Sequence, residues 1–278
     1  HLSSKRISLA LGDGGWQPVA MSILSALSVS RRPAAGFVIV GLYWGAFAAF
    51  VPVIKAQLDA SDGVFGLLML GQAFGLLSAM WLAPRLDRAA GARGMQIAAL
   101  MLATVWLVPG QLTAPLIFVA IMVLVGLSSG LLDVTMNARV SELEATHSRS
   151  LMNANHAMFS VGYALSAIAT GAAREAGLTP VHVFGGLFVL TVLLVPFLRT
   201  DVTHVVAEDG PAPRYPLWPI LICGGIVLSA FMSEATVEAW SALHVERTLG
   251  GGAAEGALGP AMLGLTMAFG RFSGQVVA

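Results

Sequence analysis

The run APLIFVAIMVLVGLSSGLLDVTM, residues 114–136, decides the class of fold, because it is long and apolar enough to cross a membrane. A helix needs about 20 mostly apolar residues to span the hydrocarbon core of a bilayer. In lipid every backbone polar group needs a partner, which a helix supplies within one segment. The run therefore predicts a membrane-spanning helix, and Asp133 is its one charged residue.

Seven further runs of the same kind flank this one, at about 34–54, 63–83, 95–111, 154–173, 181–199, 216–235 and 257–276. The composition agrees, since 56% of the 278 residues are apolar, 11% are charged and the mean hydropathy is +0.80. Soluble domains carry about 25% charged residues. We therefore exclude a water-soluble globular protein. We predict an all-α fold, a polytopic membrane helical bundle of about eight transmembrane helices in a lipid bilayer.

Basic residues are distributed unequally between the two sides of the predicted bundle. With a cytoplasmic N-terminus, twelve of the 15 Lys and Arg residues face the cytoplasm, and Lys55, Arg174 and Arg247 face outside. This asymmetry is typical of multi-pass proteins, and we expect a bacterial cytoplasmic membrane. The predicted parts are a cytoplasmic N-terminal tail 1–33, six spans in 34–199, a polar cytoplasmic linker 200–215, and two spans in 216–278. An external loop is predicted at about 236–256, and the natural start is left open between His1 and Met21.

Several classes of protein are disfavoured by what the sequence lacks. The formal net charge is zero, so no nucleic-acid partner is expected. The single cysteine, Cys223, excludes an internal disulfide and a cysteine-based zinc site. The HExxH and GxxxxGK patterns are absent, and no nucleophile–base or metal constellation is evident, which disfavours an enzyme and an ATP-driven pump. We expect no metal site and no cofactor.

Glycines spaced four residues apart predict close contacts between helices. Small residues at this spacing let two helix backbones approach in a membrane, where no hydrophobic effect drives association. The pairs are Gly41 with Gly45, Gly71 with Gly75, Gly126 with Gly130, and Gly270 with Gly274.

Asp133 and Asn137 are the first candidates for function. Their spacing of four places them on one face of the fourth span. Acids inside a membrane are costly and commonly functional. We interpret Asp133 as a group that exchanges a proton or binds a solute in a polar cavity. The alternative is a carboxylate that reaches the interface or caps a neighbouring helix.

Two further polar clusters are candidates for binding. Asn155 and His156 stand at the cytoplasmic start of the fifth span, where helix capping is the alternative to solute binding or pH sensing. Glu234 and Glu238 lie four apart near the external end of the seventh span, followed by Trp240. The two acids are either solvated at the helix mouth or contact a substrate, and the indole is suited to stacking on a sugar-like or aromatic ring. Arg271, in the eighth span, is interpreted as an anchor that reaches the cytoplasmic interface.

The loop APRLDRAAGARG, residues 83–94, resembles the signature of the major facilitator superfamily between helices two and three. Asp87, Arg88, Gly91 and Arg93 take the signature positions, and Ala83 stands where the first glycine belongs. Two stretches are similar to the fucose permease-like branch of that superfamily. They are GLLDVTMNARVSELEATHSRSLMNANHAMFSVG, residues 130–162, and SEATVEAW, residues 233–240.

The resemblance implies a protein of twelve helices in two six-helix halves. The chain would then hold one half and the first two helices of the other, and would be truncated after the eighth helix. Asp133 would correspond to a helix-four acid of proton-coupled sugar uptake. The partner acid of helix one would fall near Ala48, which cannot titrate, so proton coupling is left open. Asp87, Arg88, Gly91 and Arg93 would form a cytoplasmic gate.

We therefore expect a secondary active transporter that moves a small polar solute, with sugars as candidates, by alternating access. A proton is the second candidate partner, and a monomer is expected. The alternative is a non-transporting membrane-embedded binding or sensor protein, or an inactive fragment of a transporter.

Overall fold

The computed structural model describes residues 19–200 and 216–277, and over these ranges the chain is helical, without β-strands. Its α-helices within these ranges are α1 Val19–Val29, α2 Arg31–Gln57, α3 Asp62–Ala90, α4 Gly94–Val105, α5 Pro115–His147, α6 Met152–Glu175, α7 Pro180–Leu194, α8 Leu217–Thr248 and α9 Ala253–Val277. Short 3-10 turns follow α4 at Pro109–Gln111 and α7 at Val195–Leu198.

Helices α2 to α9 each cover one of the eight predicted spans. Helix α1 lies in the predicted tail and was not predicted, and α2 begins at Arg31, inside that tail. The rest of the tail, residues 1–18, and the predicted linker after Thr200 lie outside the described residues.

Five helical stretches in the described ranges are long and apolar enough to cross a membrane by themselves, and one of them, Asp62–Gln111, contains two predicted spans. Its path breaks at Gly91, whose φ of 53° lies in a region that glycine adopts without strain. Helices α6 and α9 fall outside these five stretches. These two helices pack against each other, and Arg271 of α9 donates to the Ser160 hydroxyl of α6. Eight crossings remain a prediction.

The prediction of a loop at about 236–256 is wrong, because α8 continues to Thr248 and only a short connection precedes α9 at Ala253. The hydropathy falls at Ser233, but the residues that follow are rich in Ala and Glu, which favour helices. Glu238 and Trp240 therefore lie inside a helix. The fourth predicted span is also longer than expected, because α5 continues to His147.

Three of the four predicted glycine pairs lie at helix contacts. A Cβ atom on Gly41 or Gly45 of α2 would overlap backbone atoms of α6, and Gly75 of α3 and Gly126 of α5 meet each other's helices in the same way. Helix α2 therefore packs closely along α6, and α3 along α5. Gly270 differs, because no atom of the described chain lies within 4 Å of the position a Cβ would take.

An aromatic cluster joins α2 to α7 and to the end of α4. The ring of Trp106 lies 5.4 Å from that of Phe184 and 6.0 Å from that of Tyr43. All three side chains are buried, and the Tyr43 hydroxyl lies 3.2 Å from the Thr191 hydroxyl. This cluster joins the middle of α2 to α4 and α7.

Candidate functional site

A cavity of about 470 Å³ lies between α2, α3 and α8. Its volume is within the range of small-molecule sites in proteins. Trp44 comes from α2 and Gln72 from α3, while Glu238 and Trp240 come from α8. The cavity thus lies between the predicted six-helix half and the helix that follows the predicted linker.

The walls of the cavity are mostly apolar, and aromatic contacts hold the two indoles in place. Trp44 makes an edge contact with Trp106, with ring centroids 5.1 Å apart. Trp240 makes an edge contact with Phe65 of α3 at 6.2 Å. Rings fixed in this way present defined apolar faces to a solute.

Few polar groups interrupt these walls. The Gln72 side-chain oxygen is buried and has no hydrogen-bond partner in the part of the chain that the structure describes. Glu238 also lines the cavity. A buried acceptor without a partner costs about 1–3 kcal/mol, so a solute that donates hydrogen bonds would be favoured here.

Tyr163 of α6 adds a third polar group near Glu238. Its hydroxyl is buried and lies near the Glu238 carboxylate, toward which it can donate. Glu234 does not line the cavity, so the predicted acidic pair is divided between two environments.

Asp133, Asn137 and His156 form a hydrogen-bonded chain between α5 and α6. The Asn137 amide nitrogen donates to the Asp133 carboxylate at 3.1 Å and to the Asp133 backbone oxygen at 2.8 Å. His156 Nε2 lies 3.1 Å from the Asn137 amide oxygen and is the donor in this arrangement. The His156 ring also packs on Phe37 of α2, with centroids 4.7 Å apart. The structure thus brings His156 to the predicted pair of Asp133 and Asn137, with which the sequence did not group it.

Arg271 of α9 continues this polar chain toward α8. Its guanidinium donates to the His156 backbone oxygen at 3.2 Å and to the Ser160 hydroxyl at 2.5 Å. Helix α9 in turn packs against α8. Arg271 therefore contacts a neighbouring helix, which differs from the predicted role as an interfacial anchor.

Asn155 is placed apart from the residues with which it was grouped. Its side chain is fully buried and donates to the Ser30 hydroxyl at 2.8 Å and to the Leu151 backbone oxygen at 2.8 Å. These contacts tie α6 to the junction of α1 and α2. The geometry favours a role in helix packing.

All three basic residues on the predicted external side form ion pairs. Arg174 of α6 binds both carboxylate oxygens of Glu246 of α8, at 2.7 and 3.1 Å, and Arg174 is only 8% exposed. Lys55 and Arg247 both pair with Asp62, at 2.8 and 3.0 Å. Glu246 lies six residues beyond Trp240, about 9 Å further along α8. These ion pairs therefore lie between the cavity and the predicted external surface.

The signature residues at the predicted cytoplasmic end do not all meet. Asp87 pairs with Arg139 of α5, and Arg139 also binds Glu142 at 2.6 Å. Gly91 forms the end of α3 with a positive φ, and no ion pair of Arg88 or Arg93 is found within the described ranges. Asp87 is thus joined to the neighbouring helix.

Sequence reasoning missed Trp44 and Gln72 at the cavity, Tyr163 near Glu238, and Arg139 and Glu246 in the ion pairs. Gln72 stands out in a span otherwise free of amides, and this signal was available. The pairs Asp87 with Arg139 and Arg174 with Glu246 join residues 52 and 72 positions apart, so only the packing of the helices reveals them.

The described residues contain no group of three or more His, Cys, Asp and Glu side chains that could hold a metal ion. Cys223 is exposed on α8.

The chain is similar to curated membrane proteins along most of its length. It is 29% identical over 252 residues to an uncharacterised MFS-type transporter of Yersinia pestis, covering 89% of this chain and 65% of that protein. It is 32% identical over 239 residues to an uncharacterised transporter of Sinorhizobium fredii, covering 82% of this chain and 62% of that protein. Identity to the membrane protein MosC of Rhizobium meliloti is 27% over 251 residues, or 87% of this chain and 60% of that protein.

The chain spans less than two thirds of the length of each of these relatives. No protein-family model matches it, and no solved structure matches it significantly. The similarities support the major facilitator superfamily, and neither they nor the helices distinguish the fucose permease-like branch. Together with the apolar helices, they confirm the predicted all-α polytopic membrane bundle.

Proposed function

We propose that this protein acts as a secondary transporter of the major facilitator type, which moves a small polar solute by alternating access between two helical halves. The observation that carries the proposal is the cavity between α2, α3 and α8, lined by Trp44, Gln72, Glu238 and Trp240. Sites of this kind in transporters lie between the repeats, where relative motion of the halves exposes them to each side in turn.

The chemistry of the cavity indicates the class of solute. Glu238 and the Gln72 oxygen accept hydrogen bonds, and the two indoles offer flat apolar faces. A solute with several hydrogen-bond donors and one apolar face fits both features. Sugars have this combination, because hydroxyl groups ring a face of C–H bonds, and they are the first candidates.

The Arg174–Glu246 pair is proposed to close the cavity on the external side. It joins α6 to α8, and its guanidinium also donates to the Ala49 backbone oxygen of α2 at 2.6 Å. Truncating one partner of a buried pair leaves an uncompensated charge, which costs several kcal/mol. Opening toward the outside would require this pair to separate or to become hydrated.

Coupling to protons is proposed to depend on Asp133. The Asn137 amide connects the Asp133 carboxylate to the His156 ring. Arg271 of α9 in turn donates a hydrogen bond to the His156 backbone oxygen. A change of charge at Asp133 would therefore alter contacts that reach from α5 through α6 to α9. This arrangement does not require the helix-one acid that Ala48 replaces.

The proposal is tested by binding and then by transport. Sugars and other small polar solutes are screened for those that raise the melting temperature of the purified protein, since a ligand at 100 times its Kd stabilises by about 2.7 kcal/mol. A stabilising solute is then followed into vesicles that contain the protein. Uptake above that of protein-free vesicles supports transport. Binding without uptake supports the non-transporting alternative and contradicts the proposal.

A further inference from the structure

Three arginines line a cavity of about 350 Å³ at the predicted cytoplasmic surface, remote from the solute cavity. Arg31 and Arg32 begin α2, and Arg199 follows the 3-10 turn after α7. Pro196 and Phe197 complete the lining. We call this feature the arginine cavity.

The arginine cavity has no acid in its own lining; the carboxylate in an adjoining cavity, Glu142, is paired with Arg139. Within the described ranges, none of its three arginines forms an ion pair. The basic residues of the predicted external side, in contrast, are all paired with acids. Three like charges at one cavity repel one another, and an anion bound between them would relieve that repulsion.

An apolar surface leads along α7 to the arginine cavity. Val189 is 57% exposed and Leu193 is 73% exposed, and their spacing of four places them on one face. Phe197 continues the apolar surface at 41% exposure, and the Arg31 guanidinium lies 6.0 Å from the centre of its ring. A ligand that joins an anionic group to a long apolar chain would contact both features, whereas a free anion would contact only the arginines.

The predicted orientation places the arginine cavity in the cytoplasmic leaflet. That leaflet carries the anionic lipids of many membranes, and basic pockets between transmembrane helices bind their headgroups. Arginine suits this purpose, because its planar guanidinium binds phosphate oxygens in pairs.

We propose that Arg31, Arg32 and Arg199 bind the phosphate headgroup of an anionic phospholipid, whose acyl chains lie along Val189, Leu193 and Phe197. This site is independent of the solute cavity and of the transport proposal. It would hold the start of α2 against the end of α7, on the predicted cytoplasmic side of the first six-helix half.

The test measures lipid binding to the purified full-length protein in a neutral detergent. Phosphatidylglycerol, phosphatidylcholine and inorganic phosphate are each titrated, and bound lipid is counted by native mass spectrometry alongside the melting temperature. We expect phosphatidylglycerol to remain bound and to raise the melting temperature, with smaller effects from the other two. Equal effects of phosphatidylcholine would contradict a site for anionic headgroups, and equal effects of inorganic phosphate would contradict a lipid site.

Matched double variants localise the effect. Arg31→Gln with Arg199→Gln is expected to weaken phosphatidylglycerol binding at least tenfold. Arg85→Gln with Arg149→Gln removes the same charge on the same predicted side and should leave binding within about twofold. Arg31→Lys with Arg199→Lys keeps the charge and is expected to retain part of the affinity for phosphatidylglycerol. This variant serves as the test if the glutamine variant does not fold. Wild-type affinity in the glutamine variant, or an equal loss in the control, would overturn the proposal.

Discussion

The guanidinium of Arg174 on α6 binds both carboxylate oxygens of Glu246 on α8, and so joins the predicted first half to the helix that follows the linker. Arg174 is 8% exposed and Glu246 is 18% exposed. The neighbouring Arg247–Asp62 pair makes a similar connection, but its side chains are 53% and 62% exposed. Two ion pairs between the same two parts of the molecule therefore differ mainly in burial.

Breaking the buried pair is expected to open the external side. In a Cys223→Ser background, Ala239→Cys places a thiol in the cavity lining. Glu246→Gln should raise the rate at which an external, membrane-impermeant reagent labels this thiol by about tenfold. A shift of about 1.4 kcal/mol toward the open state changes the open population by that factor. Arg247→Gln is the control, because exposed pairs contribute about 0.2–1 kcal/mol. An unchanged rate in Glu246→Gln would show that this pair does not close the cavity.

Removal of the Trp240 indole is expected to weaken solute binding. Trp240→Ala removes a flat apolar wall of the cavity, and Glu238→Gln removes its carboxylate charge. Each change should lower the affinity for a stabilising solute about tenfold, as measured by the solute concentration needed to raise the melting temperature. Trp218→Ala is the matched control, because Trp218 lies on the same helix and is 75% exposed. If Trp218→Ala and Trp240→Ala had equal effects, the solute would bind elsewhere.

Neutralising Asp133 is expected to abolish the dependence of transport on pH. Asp133→Asn keeps the shape of the side chain but cannot release a proton, so initial uptake rates should no longer change with an imposed pH gradient. Asp59→Asn makes the same chemical change in an exposed turn with φ of 47°, which asparagine tolerates. Its pH profile should match that of the unaltered protein. A pH dependence that survives Asp133→Asn would remove Asp133 from any proton pathway.

A single methyl group at the α3–α5 contact is expected to destabilise the bundle. A Cβ on Gly126 would overlap the Gln72 backbone oxygen, so Gly126→Ala forces two helices apart. Overpacking of this kind costs about 1–3 kcal/mol. Gly186→Ala is the control, because no atom of the described chain lies within 4 Å of its Cβ position and alanine favours helix over glycine by about 0.5–1 kcal/mol. Unfolding in one detergent should show a loss of stability for Gly126→Ala alone.

The fold was largely predictable because the signal for a membrane helix is local. Each apolar run coincides with one of the helices α2 to α9, and the glycine pairs of α2, α3 and α5 lie at helix contacts. The end of α8 was not predictable from hydropathy, since polar residues from Glu234 onward can continue a helix when their polar face meets protein.

The site was less predictable because its members come from distant parts of the chain. Asp133 and Asn137 could be paired by their spacing, but the contact with His156 depends on how α5 lies beside α6. Asp87 was grouped with Arg88, its neighbour in sequence, whereas the fold pairs it with Arg139. Local spacing thus singles out polar residues, whereas their partners depend on how the helices pack.

Solute entry into vesicles is the measurement that tests the transport proposal most directly. Purified protein is reconstituted into proteoliposomes loaded with a stabilising solute, and the exchange of external radiolabelled solute is followed. We predict exchange well above that of protein-free vesicles, reduced about tenfold by Glu238→Gln and unchanged by Trp218→Ala. Exchange no faster than in protein-free vesicles, with a protein that still binds the solute, would contradict transport by this chain.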